Sequence, residues 1–379
     1  MFDYETLKII WWVLVGVLLI GLALTDGFDM GAMALMPFVG KTDNERRITI
    51  NTIAPHWDGN QVWLITAGGA FFAAWPMVYA AAFSGMYWAL LLVLFGLFFR
   101  PVGFDYRSKI ENRTWRNAWD WALFVGGALP ALLFGVAFGN LFLGLPFRLD
   151  ETLRMHYEGS FFGLLHPFAL LGGVVSLSML CAHGGTWLML RTEGELYERC
   201  RNAARLCTLV FLGSFVLAGL WLIVGIDGLS LVGNFDPDAV LNPLVKEVVQ
   251  DNSGWLANYA RYPITILAPL AGIAGGVLAL RSTQSGKSLQ AFLGTSLAIV
   301  GAICTAGFAL FPFVFPSSID LTSSMTMWDA VSSEKSLGVM TIAAIIWLPI
   351  IFAYTYWCYS RMWGTLTNKT IEDNSHGLY

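Results

Sequence analysis

Charge is scarce in this sequence. Only 13% of its 379 residues are Asp, Glu, Lys or Arg, about half the share usual in soluble domains. With 56% hydrophobic residues, the chain cannot hide its surface in one water-soluble core and needs lipid as part of its solvent. Cysteine is sparse too. Cys181, Cys200, Cys207, Cys304 and Cys358 form no C-x-x-C pair and are odd in number, which argues against a disulfide framework or a cysteine metal site. They read as small buried hydrophobes. A phosphate-binding G-x-x-x-x-G-K-[ST] loop, a dinucleotide fingerprint and an H-E-x-x-H pair are all missing. The net charge of −4 gives no surface for nucleic acid. The opening residues, Met1-Phe2-Asp3-Tyr4-Glu5, are acidic where a cleavable signal would be basic, so the first apolar stretch is expected to remain as a helix.

Long apolar runs and aromatics are what the sequence has in quantity. Its 16 Trp, 27 Phe and 12 Tyr suit a protein with two membrane–water interfaces, where such side chains collect. A spanning helix takes about 20 apolar residues. Nine such runs are expected, at 9–36, 50–74, 78–99, 119–145, 161–190, 203–228, 262–281, 289–315 and 337–363. Several exceed one bilayer thickness and must tilt or project. Pro130, Gly135, Pro269 and Pro312 do not exclude helix, because membrane bundles re-satisfy freed backbone groups. Gly68-Gly69, Gly184-Gly185 and Gly275-Gly276 read as close helix packing. The expected fold is an all-α polytopic membrane protein in a single domain, residues 1–379.

Lys and Arg set the orientation. Alternate loops, from Lys41, Arg46 and Arg47 through the Arg100–Arg116 run and on to Arg361 and Lys369, hold 16 of the 22 cations. The other side holds Lys8, Arg148, Arg154, Lys246, Arg261 and Lys335. The richer side is therefore read as cytoplasmic. Nine spans then put the N-terminus outside and the C-terminus inside. The longest outside stretch, 229–261, carries Asp236, Pro237, Asp238 and Asn242-Pro243 and reads as an ordinary polar connection.

Ionisable groups inside membrane helices are costly and point to function. Asp26 and Asp29 share one face of the first span, and His56 and Asp58 lie in the second. The midpoint between Asp29 and Asp58 falls in the polar turn Lys41–Arg47. The two carboxylates are thus expected to meet at one level, about 13 Å below the turn at 1.5 Å per residue. They could relay protons, bind a cation or hold a partner's charge. The plainer alternative is that Asp26 and Asp29 pair locally with Arg46, Arg47 or Arg100. Pro101 and Gly103 are expected to break the third helix, with Asp105 beyond them as a polar way in from the cytoplasm. Haem ligation needs axial His or Met on facing helices. Of five His, His376 lies in the tail and His156 in an outside loop. His166 and His183 are about 25 Å apart along one helix, and His56 has no histidine at its level. Thirteen Met leave a His–Met pair formally open, though such Met are usually packing.

A family resemblance rests on long runs. Thr25-Asp26-Gly27-Phe28-Asp29-Met30-Gly31 and Pro55-His56-Trp57-Asp58-Gly59-Asn60-Gln61-Val62-Trp63-Leu64 closely resemble signatures of cytochrome bd quinol oxidase subunit II. So do Phe99-Arg100-Pro101-Val102-Gly103-Phe104-Asp105-Tyr106-Arg107, Phe311-Pro312-Phe313-Val314-Phe315-Pro316-Ser317-Ser318 and Thr326-Met327-Trp328-Asp329. The resemblance implies two four-helix bundles plus one peripheral helix, in the bacterial inner membrane. It implies a partner, subunit I, that ligates two b-type haems and one d-type haem, with small single-helix subunits in some members. The complex would oxidise quinol near the outer face and reduce dioxygen to water, taking protons from the cytoplasm without pumping. By position, Lys109, Asp105, Asp58 and Tyr379 resemble the family's proton route, with Asp26 and Asp29 as supporting polar residues. Trp63 resembles the residue at the lateral oxygen entrance. Arg100 and Trp57 resemble neighbours of a structural ubiquinone. The competing expectations are a stand-alone proton-coupled transporter, for which broken helices in symmetric pairs would speak, and a purely structural partner subunit.

Overall fold

The computed structural model describes residues 2–232, 241–373 and 379. The chain runs α1 (Tyr4–Leu24), α2 (Asp26–Val39), α3 (Asp43–Asn51), α4 (Trp57–Ala74), α5 (Pro76–Gly85), α6 (Tyr87–Tyr106) and α7 (Arg113–Leu143). A hairpin of β1 (Phe147–Leu149) and β2 (Met155–Tyr157) leads to α8 (Pro167–Arg191) and α9 (Gly194–Gly225). Then come β3 (Gly228–Val232), β4 (Glu247–Asp251), α10 (Ala257–Arg261), α11 (Leu267–Gln284) and α12 (Ser288–Leu310). The short pair β5 (Phe313–Phe315) and β6 (Met325–Thr326) precedes α13 (Glu334–Arg361) and α14 (Asn368–Asp373). Among the described residues, eight helical runs are long and apolar enough to cross a membrane, or nine if bent α4–α5 counts as one.

The expected second and third spans need correcting. Residues 43–51 form their own helix, started by a capping box between Thr42 and Glu45. A turn at 52–56 comes next, and the apolar helix begins only at Trp57. At the far end α4 and α5 meet at 120°. Trp75 precedes Pro76, a position biased away from helical backbone, and takes φ −131°, ψ 71°. The third span therefore starts at Tyr87, not 78. It also runs through Pro101 to Tyr106 instead of breaking there. A Cβ on Gly103 would lie 2.7 Å from Leu123 of α7, so this glycine lets two helices close up.

Glycine packs the interior elsewhere as expected. A Cβ on Gly31 of α2 would fall 1.9 Å from the Leu180 carbonyl oxygen of α8, and one on Gly301 of α12 would fall 2.1 Å from the Gly272 nitrogen of α11. Close approach of this kind replaces the hydrophobic effect as the glue between helices in lipid. Gly68 and Gly69 depart from that reading, since nothing lies within 4 Å of a Cβ on either.

The three hairpins gather at the end opposite the basic loops. Residues 229–261 are more than a polar connection. β3 and β4 pair antiparallel, and Trp255 is buried against Phe142 and Phe313. Asp236, Pro237 and Asp238 lie outside the described residues. Lys246 joins this loop to Asp329 through a buried ion pair of 3.0 Å, and burial lowers the Lys246 ammonium despite that partner.

Candidate functional site

The helix break at Thr25 sets up the buried polar centre. Restarting the helix there puts Asp26 and Asp29 in the first turn of α2, where free N–H groups and the helix dipole favour negative charge. Both are buried, and so is Arg100 of α6. Arg100 Nη1 donates to Asp26 Oδ2 at 3.0 Å, and Nη2 bonds the other oxygen of the same carboxylate. Nη2 also lies 3.7 Å from Asp29 Oδ2. Asn60 of α4 donates to that Asp29 oxygen at 2.8 Å. Tyr359 of α13 donates to Asn60 Oδ1 at 2.6 Å. The His56 ring stacks on Tyr359 with centroids 4.7 Å apart, and its Nδ1 lies 3.5 Å from Asn60 Nδ2. Two carboxyls thus share one guanidinium. Asp29 Oδ1 and Arg100 Nε have no hydrogen-bond partner, so the cluster keeps one acceptor and one donor unused.

The carbonyl freed by the same break is also satisfied. His183 Nε2 donates to Leu24 O at 3.0 Å, and its Nδ1 lies 2.8 Å from Thr295 Oγ1.

Asp29 and Asp58 do not meet. The turn at 52–56 resets the helical phase, so Asn60, not Asp58, faces Asp29. Asp58 sits in the first turn of α4 and is exposed. It opens a stripe with Val62, Ile65, Gly69 and Phe72, all exposed. Alternating steps of four and three keep these positions on one side of a helix.

Two of the other expected residues pack against Phe104. Trp57 lies 5.5 Å from its ring and Tyr379 lies 6.3 Å from it. Tyr379 is held on α3, where its N–H donates to Asn51 Oδ1 at 3.1 Å and its main-chain oxygen accepts from Asn51 Nδ2 at 2.8 Å and Arg47 Nε at 3.2 Å. Asp105 follows Phe104 directly and is exposed, as is Lys109. Phe104 thus bridges Trp57 and Tyr379, with Asp58 and Asp105 next in sequence to Trp57 and Phe104. Trp63 is half-buried, with its ring filling the space beside Gly21 and lying 5.9 Å from Phe352. Of the cations considered as local partners, Arg100 takes Asp26, whereas Arg46 bonds Asp120 at 2.6 Å.

Comparison with known proteins decides the family. Residues 7–362 match the family model for cytochrome bd terminal oxidase subunit II. The chain is 56% identical to cytochrome bd-I ubiquinol oxidase subunit 2 of Escherichia coli over 379 residues, the whole of both chains. It is 32% identical to cytochrome bd ubiquinol oxidase subunit 2 of Bacillus subtilis, covering 92% of this chain and 94% of that one. The chain belongs to the cytochrome bd subunit II family. A solved bd oxidase from Geobacillus thermodenitrificans shares the fold, with a TM-score of 0.68 at 15% identity over 93% of this chain and 97% of that one.

A cytochrome bd subunit II is part of a membrane-bound oxidoreductase complex of respiratory electron transport, with subunit I as partner and haem in the complex. The described histidines differ in how far their ring nitrogens are engaged. Both nitrogens of His183 are engaged, His166 Nδ1 accepts from Phe168 N at 3.2 Å, and His156 pairs with Asp150 at 3.0 Å. His56 is stacked against Tyr359 beside Asn60. His376 lies outside the described residues.

Proposed function

We propose that this chain is the haem-free subunit of a quinol-oxidising, oxygen-reducing complex and passes protons across its open α4 face to subunit I. The observation that carries this is Asp58. A carboxylate turned toward lipid from a membrane helix is costly, so a protein surface covers the stripe it opens. On this reading protons enter past Lys109 and Asp105 from the cytoplasm and cross the Trp57–Phe104–Tyr379 neighbourhood. They leave through Asp58 toward the haem where dioxygen becomes water. Asp26 and Asp29 support the route as buried polar neighbours. The orientation follows the cation asymmetry, with the N-terminus outside and the helices in two four-helix bundles plus one peripheral helix.

Two b-type haems and one d-type haem belong to subunit I in this proposal. A structural ubiquinone would sit by Trp57 and Arg100, whose unpartnered Nε supplies a donor for a quinone carbonyl. Trp63 lies at the oxygen entrance, and small single-helix subunits pack outside the dimer. The α1–α2 break and the α4–α5 bend resemble transporter devices, but the family membership places them in an oxidase.

The test is photocrosslinking in the whole complex. Benzoylphenylalanine at Ile65 on the α4 stripe, which inserts into C–H bonds and needs no ionised thiol, should crosslink to subunit I. The same residue at Leu220 on α9 should not. No crosslink from Ile65 in an assembled complex would remove the interface from α4.

A further inference from the structure

A second charged network lies at the basic end, on residues the proton route does not use. Arg46 of α3, Arg107 at the end of α6 and Arg116 of α7 share two aspartates. Arg46 bonds Asp120 at 2.6 Å, Arg107 bonds Asp120 and, at 2.9 Å, Asp43, and Arg116 bonds Asp43 at 2.9 Å. Three guanidinium groups on two carboxylates leave one positive charge over. Arg107 is buried, yet its Nη1 has no partner, and neither has Nε of Arg116.

These residues border a cavity of about 640 Å³. Arg46, Arg116, Asp43 and Asp120 line it together with Lys41, Arg113 and Glu111. Arg107 does not line it but bonds both of the lining aspartates. Counting Arg107, five cations stand against three acids. Lys41 and Arg113 are exposed and make no ion pair among the described residues. Buried donors without acceptors beside surplus positive charge match a group of concentrated negative charge with several acceptor oxygens. Phosphate is that group, and guanidinium binds it through paired N–H donors.

An aromatic cluster lies close in sequence to two of the lining residues. Phe38 lies three residues before Lys41, and Trp121 follows Asp120 in sequence. Both are about half exposed, at 53% and 48%. With Phe124 they form one cluster, with centroid distances of 6.2, 5.8 and 5.4 Å. Basic pockets between helix ends bind anionic lipid headgroups, and exposed aromatics anchor at the headgroup level. A soluble phosphate would use the cations alone, whereas a phospholipid would use both features. We propose that this cavity binds the phosphate of one anionic phospholipid, with an acyl chain along Phe38 and Trp121.

The whole oxidase complex is delipidated, incubated with phosphatidylglycerol or phosphatidylcholine, and weighed by native mass spectrometry. Wild type should retain one more phosphatidylglycerol than the Arg113→Gln/Arg116→Gln variant, with occupancy of that lipid falling at least fivefold. Trp121→Ala should lose the same lipid, phosphatidylcholine should not replace it, and millimolar inorganic phosphate should not displace it. Equal lipid counts in wild type and the double variant would overturn the proposal. Displacement by inorganic phosphate, with retention in Trp121→Ala, would make this a free-phosphate site and overturn the lipid assignment. If the double variant does not assemble, Arg113→Gln alone decides, because that residue is exposed and unpaired. Its occupancy should fall at least twofold, and unchanged occupancy would equally refute the site.

Discussion

Helices α4 and α9 each turn a long side out of the chain, and the two sides differ in one respect. On α9 the exposed positions Leu209, Val216, Leu220, Ile223 and Val224 are aliphatic, and two open glycines, Gly213 and Gly219, lie among them. The α4 stripe of Val62, Ile65, Gly69 and Phe72 is as apolar, with open glycines of its own. Small residues therefore do not separate the two faces. The ionisable residue at the basic end of each stripe does. On α9 it is the exposed Arg205, whose long side chain reaches toward the interface, whereas the short Asp58 on α4 has no such reach and needs a partner to shield its carboxylate. Open area in a membrane subunit says little about where it assembles; a short acidic group within that area says more.

The largest expected effect sharpens the contrast between exposed and buried charge. Arg100→Leu leaves Asp26 and Asp29 buried without a cation, and breaking a buried pair this way costs about 3–5 kcal/mol. The complex should be nearly absent from membranes by haem absorbance. Arg100→Lys should recover part of it, because Lys keeps the charge but loses the two-pronged contact. Next comes a substitution that breaks the comparison itself. Leu220→Asp on α9 should cost roughly 2.5–3.5 kcal/mol if that face meets lipid and should lower the yield of inserted complex sharply. Unchanged yield would mean that protein covers α9 too.

The smallest effect lies outside the spans. Burial alone would raise the Glu45 carboxyl, but the Thr42 and Lys41 N–H groups and the Arg199 guanidinium outweigh it and hold it below its usual 4.5. A carboxyl lowered in the folded state stabilises above its unfolded value, and that stability is lost as pH falls below about 4.5. The Glu45 side chain is partly buried, 17% exposed, and its pair with Arg199 still touches water, so the contribution is about 1 kcal/mol. Glu45→Gln should lower the Tm of the complex slightly at pH 7, and the gap to wild type should narrow progressively as pH falls below about 4.5. A gap of constant size as pH falls would assign the loss to packing.

Much of the fold was readable in the residues. Apolar runs located most of the helices. Asp26 and Asp29 were legible as buried charge, and Arg100 as a possible partner. What failed was phase. Sequence distance treats residues 41–58 as one hairpin arm, but the α3 helix and the turn at 52–56 rotate α4 about its own axis. Asn60 therefore takes the place expected for Asp58. Asp120 carried a signal that went unread, an acid inside the run 119–145. Tyr359 carried none, since a tyrosine in an apolar helix is ordinary. The 120° bend had its warning in Trp75-Pro76, a pair that disfavours helix at its first residue.

Turnover in an Asp58→Asn complex tests the central claim most directly. Asparagine keeps the shape and much of the hydrogen bonding but cannot carry a proton as a carboxyl group does. Oxygen consumption per haem is measured with quinol as donor, after absorbance spectra show full haem content. The account predicts normal assembly and spectra with turnover at least tenfold below wild type, about 1.4 kcal/mol on the barrier, and partial recovery in Asp58→Glu. Near-normal turnover in a fully haem-loaded Asp58→Asn complex would contradict it.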